Sequence, residues 1–170
     1  ITNTVDGVEI SSTGSQFDYG DLSVARTHAA QFSNQTRGIT AGGSVPSANV
    51  TIDYFTIATS GTTAQDFGDL IHGGGGQQGA CASPTRGVIM RANSPTNSLM
   101  EFITISTQGN GADFGDSHLQ QGGAGGGSNA IRGIFAGGYK SPATSYNNIS
   151  YITIATLGNS QDFGDLTASS

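Results

Sequence analysis

The sequence has little charge and few of the residues on which common site types depend. Lys and Arg number 6 and Asp and Glu 12, so charged residues make up 11% of the chain and the formal net charge is −6. Nucleic-acid-binding domains usually carry a basic stripe, so we expect no nucleic-acid partner. The single cysteine, Cys81, excludes an internal disulfide and a zinc site made only of cysteines. No apolar run approaches the length of a membrane-spanning helix, so we expect no membrane span.

Glycine is abundant, with 27 residues, and the chain repeats itself. An Asp-aromatic-Gly-Asp motif occurs four times, with spacings of 48, 47 and 49 residues, beginning at Asp18, Asp66, Asp113 and Asp162. A second motif, Arg-Gly followed by a short apolar run, occurs between these copies, at Arg37, Arg86 and Arg132. Because both motifs share one period, the sequence predicts repeat units of about 47 residues.

A period of this length predicts an all-β fold with one four-stranded antiparallel blade in each unit. Residues 54–59 alternate large and small side chains, as a third strand would, and a glycine-containing turn follows them. The fourth strand is the Asp-aromatic-Gly-Asp motif, whose Phe67, Phe114 and Phe163 we expect to be buried. The glycine-rich segments 72–83 and 118–130 fall in the slot of a first strand. We predict no helix.

We interpret residues 1–170 as a single repeat domain of about three and a half units. Their boundaries are 6–22 (unit 1, a half blade), 23–70 (unit 2), 71–116 (unit 3) and 117–166 (unit 4). Unit 1 supplies only a third and a fourth strand, which leaves an unpaired sheet edge. We therefore expect a partner at that edge, from self-association, from another protein or from a continuation of the chain.

The order of these motifs resembles kelch-type β-propeller repeats. It runs from Arg-x-His-Ala (26–29) through Arg-Gly-x-x-x-Gly-Gly and an aromatic-rich strand to an aromatic residue in the fourth strand. Segments 132–138 and 151–166 are similar to repeats in structural and tail-associated proteins of tailed phages, many of them aquatic. Unlike ordinary kelch repeats, the chain has no Trp, and Arg91-Ala92 replaces the paired glycines of unit 3.

This resemblance implies a kelch-like β-propeller, or an open propeller-like array, located in a virion or outside the cell. It also implies a non-catalytic structural or adhesive role, as in a tail or fibre, with other virion or appendage subunits as partners.

Paired aspartates in glycine-rich turns are candidate calcium ligands, since Ca²⁺ prefers several oxygen ligands. The candidates are Asp66, Asp69, Asp113, Asp116, Asp162 and Asp165. The alternative, which we favour, is structural: such an Asp accepts hydrogen bonds from nearby backbone N–H groups. We therefore expect neither a metal site nor a cofactor, with Ca²⁺ kept as the alternative.

The recurring arginines Arg37, Arg86 and Arg132 are predicted to brace each unit by pairing with a turn aspartate. The alternative is a ring of donors that lines a channel or binds an acidic sugar. The histidines could in principle converge on a metal, but no carboxylate lies beside them in the sequence; they are His28, His72 and His118. Cys81, among small residues, is predicted to be a buried apolar side chain and not a nucleophile.

Three functions remain open at this point. A structural or adhesive repeat protein fits the repetition and the low charge, and we expect no enzymatic activity. A carbohydrate-binding module, recognising a surface glycan, is the first alternative. An enzyme on a kelch scaffold is the second, and it would require the polar residues that break the repeat, Arg91, Glu101 and Lys140, to cluster.

Overall fold

The computed structural model describes residues 1–74, 78–91, 98–140 and 144–169. Within those ranges every regular element is a β-strand, as predicted, and no helix is present. Accordingly, this part of the chain contains no helix with the length and apolar character needed to cross a membrane.

We assign each strand to the sequence unit in which it begins. Unit 1 contains β1 (Thr4–Gly7) and β2 (Phe17–Asp21). Unit 2 contains β3 (Ala30–Ser33), β4 (Arg37–Ala41), β5 (Ser44–Val45), β6 (Ser47–Thr56), β7 (Thr62–Thr63) and β8 (Gln65–Gly74). Of these strands, β8 crosses the predicted boundary between residues 70 and 71. Unit 3 contains β9 (Gly79–Ala82), β10 (Arg86–Met90), β11 (Leu99–Thr104) and β12 (Ala112–Asp116). Unit 4 contains β13 (Gly125–Ser128), β14 (Arg132–Ala136), β15 (Tyr139–Lys140), β16 (Thr144–Ser145), β17 (Asn148–Thr153) and β18 (Gln161–Asp165).

Units 2, 3 and 4 are each built on four antiparallel strands in chain order. The paths are β3-β4-β6-β8, β9-β10-β11-β12 and β13-β14-β17-β18. The glycine-rich segments 72–83 and 118–130 contain the first strands β9 and β13, as predicted, but residues 72–74 belong to β8, the fourth strand of unit 2. Unit 1 has only its antiparallel pair β1–β2, to which β7 of unit 2 adds in parallel.

Two features of the sheets differ from the prediction. The fourth strand of unit 2 is longer than expected, because β6 begins at Ser47 and gives β8 partners as far as Gly74. Between the second and third strands, β5 folds back on β6 in unit 2, and β15 pairs with β16 in unit 4. These short pairings were not predicted.

The apolar core lies between successive units. One cluster joins Leu22 at the end of unit 1 to Phe55 of unit 2. The next joins units 2 and 3, with Ile52 and Ile103 among its members. The third joins units 3 and 4 through residues that include Phe135. Each sheet is therefore stabilised by burying its faces against its neighbours in the chain.

Of the three fourth-strand phenylalanines, Phe67 and Phe114 are 3% and 2% exposed, so the expected burial is confirmed there. The prediction is wrong for Phe163, which is 56% exposed. The reason is positional: Phe67 and Phe114 are covered by the unit that follows them, whereas within residues 1–170 no unit covers Phe163.

The paired glycines after the second strand permit close backbone contacts. Gly43 and Gly138 have φ values of 95° and 103°, and a Cβ atom at either would lie 2.6 Å from a carbonyl oxygen. In unit 3, where the sequence differs, Arg91 donates to the Gly73 carbonyl. Its neighbour Ala92 lies outside the described residues.

Candidate functional site

The Asp-aromatic-Gly-Asp motif forms the same β-bulge in all four units. In unit 3, Met100 opposes Gly115 and Glu101 opposes Asp113, so Phe114 has no cross-strand partner. A bulge of this kind redirects the side chain of the extra residue. The glycine that follows the aromatic residue has φ between 133° and 146° in every copy, a region that favours glycine.

The first aspartate of the motif stabilises the bulge. Asp113 accepts a hydrogen bond from the Gly115 N–H at 3.1 Å, and Asp66 and Asp162 accept the equivalent bonds in units 2 and 4. These contacts support the structural interpretation of three of the six calcium candidates. Of the others, the Asp116 carboxylate accepts a hydrogen bond from Ser98. Calcium binding at any of these residues stays the alternative to that interpretation.

The bulged strand of each unit is the docking surface for the next unit. The Gly109 N–H of unit 3 donates to the Phe67 carbonyl of unit 2, and the Gly158 N–H of unit 4 donates to the Phe114 carbonyl, both at 2.8 Å. Units 1 and 2 repeat the contact, with Gly61 donating to Tyr19. We call this contact, between the turn after a third strand and the preceding unit's fourth strand, the seam.

Side chains extend two of the seams. Asn110 and Asn159 each follow the turn glycine, and their Oδ1 atoms accept backbone N–H groups of the preceding fourth strand at 3.0 and 2.9 Å. The bulge glycines Gly68 and Gly115 face the turn itself, where an added Cβ would lie 2.5 and 2.6 Å from a carbonyl oxygen. Glycine is therefore required at the bulge for two reasons: its positive φ, and the close contact with the turn of the next unit.

The recurring arginines also act across the seam. Arg37 Nη1 donates to the Ile105 carbonyl of unit 3 at 2.7 Å, and Arg86 Nη1 donates to the Ile154 carbonyl of unit 4 at 2.8 Å. Each guanidinium stacks on an aromatic ring of its own unit, at 4.7 and 4.4 Å from the ring centroid. Arg132 stacks likewise on Tyr151, but in the described chain its guanidinium makes no hydrogen bond.

The predicted arginine–aspartate brace is therefore wrong. Among the described residues, the Arg–Asp pair within 4.0 Å is Arg26–Asp53, which involves none of the recurring arginines. Arg37 and Arg86 instead donate to main-chain acceptors 68 residues further along the chain. Their charge thus strengthens a hydrogen bond between units rather than within one.

Residues 1–22 contain no second strand and no such arginine, and Tyr19 supplies the equivalent donor. The carbonyl equivalent to those of Ile105 and Ile154 is that of Ile57, which accepts a hydrogen bond from the Tyr19 hydroxyl at 2.8 Å. The Tyr19 ring packs edge-to-face on Phe55 with centroids 5.5 Å apart. This contact explains why unit 1 has Tyr where the other motifs have Phe.

A buried polar residue occupies one position of every complete unit's third strand: Asp53, Glu101 and Ser150. Asp53 forms a fully buried ion pair with Arg26 at 3.0 Å and accepts hydrogen bonds from Ser23. Burial lowers the pKa of Arg26, and the Asp53 charge opposes that shift. Glu101 accepts the Ile71 N–H at 2.7 Å, so it binds the backbone of β8, the fourth strand of the preceding unit.

The histidines do not form part of a metal cluster in the structure. Across residues 1–74, 78–91, 98–140 and 144–169, no three His, Cys, Asp or Glu side chains are grouped so as to hold a metal ion. His72 Nδ1 lies 3.5 Å from Glu101. Cys81 is buried against Gly133, as predicted, and burial raises its pKa to about 12, so the thiol is protonated at neutral pH.

Two surfaces of the chain are not covered by a neighbouring unit, although the equivalent surfaces of other units are covered. In units 3 and 4, Gly87 and Gly133 lie against first-strand side chains of the preceding unit. The equivalent Gly38 meets no such side chain and lines a groove of about 460 Å³ between units 1 and 2. On unit 4, a Cβ added at Gly164 would meet no atom within 4 Å, and the adjacent Phe163 is exposed.

A comparison of the chain with protein-family models and with curated proteins finds no match.

Proposed function

We propose that the chain is a non-catalytic structural repeat protein whose units are kelch-type blades. The observation that carries this proposal is the seam. Arg37, Arg86 and two sets of glycines recur with the period and contact the adjacent unit: the bulge glycines Gly20, Gly68 and Gly115 and the turn glycines Gly61, Gly109 and Gly158. The recurring residues are thus used to join units, which is what a module for building larger assemblies requires.

We further propose that the assembly belongs to a virion, in a tail or fibre, or to an extracellular appendage. The resemblance of segments 132–138 and 151–166 to repeats of phage structural proteins supports this location. Other subunits of the same particle are the proposed partners.

Immunogold electron microscopy with an antibody against the purified chain tests the location. Antibody absorbed with the same protein is the control. We expect gold particles on the tail, on fibres or on appendages of the source material. Label confined to the interior of cells would contradict the structural role outside the cell.

A carbohydrate-binding module is the alternative, and a groove of about 340 Å³ favours it. Its lining includes Arg132, Tyr151, Asn159 and Gln161, an aromatic ring beside amide and guanidinium groups. The Tyr151 hydroxyl bonds to Gln161 at 2.5 Å, which fixes the ring. Rings held among polar groups of this kind recognise sugars through stacking and hydrogen bonds.

A glycan array probed with the wild-type chain and with Tyr151→Ala tests this alternative. Binding by the wild type that the substitution abolishes would support it, with Tyr146→Ala as the control. Two of the residues that an enzyme would need, Glu101 and Arg91, instead bond to main-chain groups, so the enzyme alternative has no comparable support.

A further inference from the structure

The exposed face of unit 4 carries the parts of a seam without its second half. Phe163, Gly164 and Arg132 are equivalent to Phe114, Gly115 and Arg86, which contact unit 4 in the seam between units 3 and 4. On unit 4 no following unit covers the equivalent positions. Phe163 is 56% exposed, and no atom lies within 4 Å of a Cβ added at Gly164.

The existing seams define the chemistry of the missing half. Unit 4 covers the face of unit 3 with two main-chain groups. Its Ile154 carbonyl accepts from Arg86, and its Gly158 N–H, four residues later, donates to the Phe114 carbonyl. Unit 3 presents Ile105 and Gly109 to unit 2 in the same way. Both isoleucines are buried, at 0% and 1% exposure.

Unit 1 contains this half and leaves it unused. Counted from the Asp-aromatic-Gly-Asp motif, Ile10 aligns with Ile105 and Ile154, and Gly14 aligns with Gly109 and Gly158. Ile10 is 95% exposed, and no atom lies within 4 Å of a Cβ built on Gly14. The two ends of the chain are thus complementary, by the same contacts that join its internal units.

We propose that the unit 4 face of one copy binds the unit 1 turn, residues 8–16, of a second copy. This inference rests on the proposed structural function and names its partner. Arg132 donates to the Ile10 carbonyl, and the Gly14 N–H donates to the Phe163 carbonyl. Because the two surfaces are different, the contact is head-to-tail and propagates into a ring or a filament.

Sedimentation velocity over a range of concentrations tests the contact. We use Ile10→Asp and Phe163→Asp, which place a charge on each side of the proposed seam at exposed positions, and Val24→Asp as a matched control at a partly exposed apolar residue elsewhere. We expect the wild type and Val24→Asp to associate beyond 17.2 kDa, and each seam variant to associate at least about tenfold more weakly.

A mixture of the two seam variants decides the geometry. The intact unit 4 face of Ile10→Asp can bind the intact unit 1 turn of Phe163→Asp, so the mixture should yield heterodimers that grow no further. A wild type that stays monomeric would overturn the proposal. So would association that survives in both variants, or a mixture without dimers, since a contact between identical surfaces would not be rescued.

The result is separable from the test of location. Head-to-tail dimers together with purely intracellular gold label would leave this contact standing and remove the proposed function. Label on a particle together with a monomeric chain would do the reverse, and would assign the unit 4 face to another repeat or another protein.

Discussion

At the scale of the residue, the recurring arginine at the start of the second strand has different partners in different units. Arg86 stacks on Phe102 and donates to the Ile154 carbonyl, whereas Arg132 stacks on Tyr151 with its hydrogen-bonding groups exposed. Hydrogen bonds that involve a charged group contribute more than neutral ones. The two arginines therefore form a natural matched pair for measuring what the inter-unit bond contributes.

We expect Arg86→Ala to lower the free energy of unfolding by about 1.5–3 kcal/mol, because it leaves the Ile154 carbonyl without its charged donor. Arg132→Ala removes a stacked cation alone and should cost about 0.5–1 kcal/mol. Urea unfolding followed by circular dichroism measures both values. Equal losses in the two variants would show that the bond to Ile154 contributes nothing.

The buried ion pair of unit 2 gives a second prediction at this scale. Arg26→Ala would leave the Asp53 carboxylate buried without its cation, and should destabilise the fold by about 3–5 kcal/mol. The double variant Arg26→Met, Asp53→Asn removes both charges while keeping an acceptor for Ser23, and should recover most of that loss. Thermal unfolding of the two variants side by side is the check, and a double variant no more stable than Arg26→Ala would refute it.

At the scale of the element, the fourth strand depends on a glycine that both permits the bulge and admits the next unit. Gly115 and Gly164 have φ values of 133° and 142°, so an Ala at either is strained by about 1–3 kcal/mol. Only at Gly115 does the new Cβ also meet the turn of a following unit, with the Gly158 carbonyl at 2.6 Å.

Gly115→Ala should therefore unfold at lower denaturant than Gly164→Ala, with an additional loss of about 1–3 kcal/mol from the steric contact. Chemical denaturation of both variants below the association concentration gives the difference directly. A Gly164→Ala variant as unstable as Gly115→Ala would mean that backbone strain is the whole effect and that the turn does not press on the bulge.

The aromatic residue of the same strand should show the same dependence on position. Phe114→Ala opens a cavity beneath unit 4 and should cost about 3–5 kcal/mol. Phe163→Ala, on the exposed face, should cost about 1 kcal/mol or less in the monomer. Calorimetric unfolding of both variants distinguishes them, and a large loss at Phe163 would place it in a packed core.

The period of the sequence was sufficient to predict an all-β chain with four-stranded antiparallel sheets in the described residues, because strand order in each sheet follows chain order. It did not predict that β8 continues to Gly74 or that β5, β15 and β16 form. The partners of Arg37 and Arg86 could not be predicted in the same way. Their acceptors lie in the next unit, and main-chain carbonyls leave no signature in a sequence. A signal was present at Tyr19, the tyrosine that replaces phenylalanine in the first motif. Its hydroxyl supplies a donor where residues 1–22 contain no arginine.

The buried polar position was missed for a related reason. Asp53, Glu101 and Ser150 differ in charge, so a comparison of the repeats shows variation where the structure shows one buried site. The burial of Phe163 was wrongly predicted because the repeat suggests the same surroundings for every copy of a residue, although no unit within residues 1–170 covers Phe163.

At the scale of the whole molecule, one kind of seam joins the units three times, and its two halves recur without a partner on units 1 and 4. The three used seams bury Phe67 and Phe114 and hold the turns of units 2, 3 and 4. Their strength relative to the sheets themselves determines whether the chain unfolds as one body or unit by unit.

Amide hydrogen exchange on the Ile10→Asp variant, in which the ends of the chain are kept apart, tests the seam most directly. The reporting amides are those that cross the seam, at Gly109, Gly111, Gly158 and Ser160, and the unused equivalents at Gly14 and Gln16. We predict that the first group is protected as strongly as the strands, while Gly14 and Gln16 exchange rapidly. Turn amides of units 3 and 4 that exchange as fast as those of unit 1 would contradict the account.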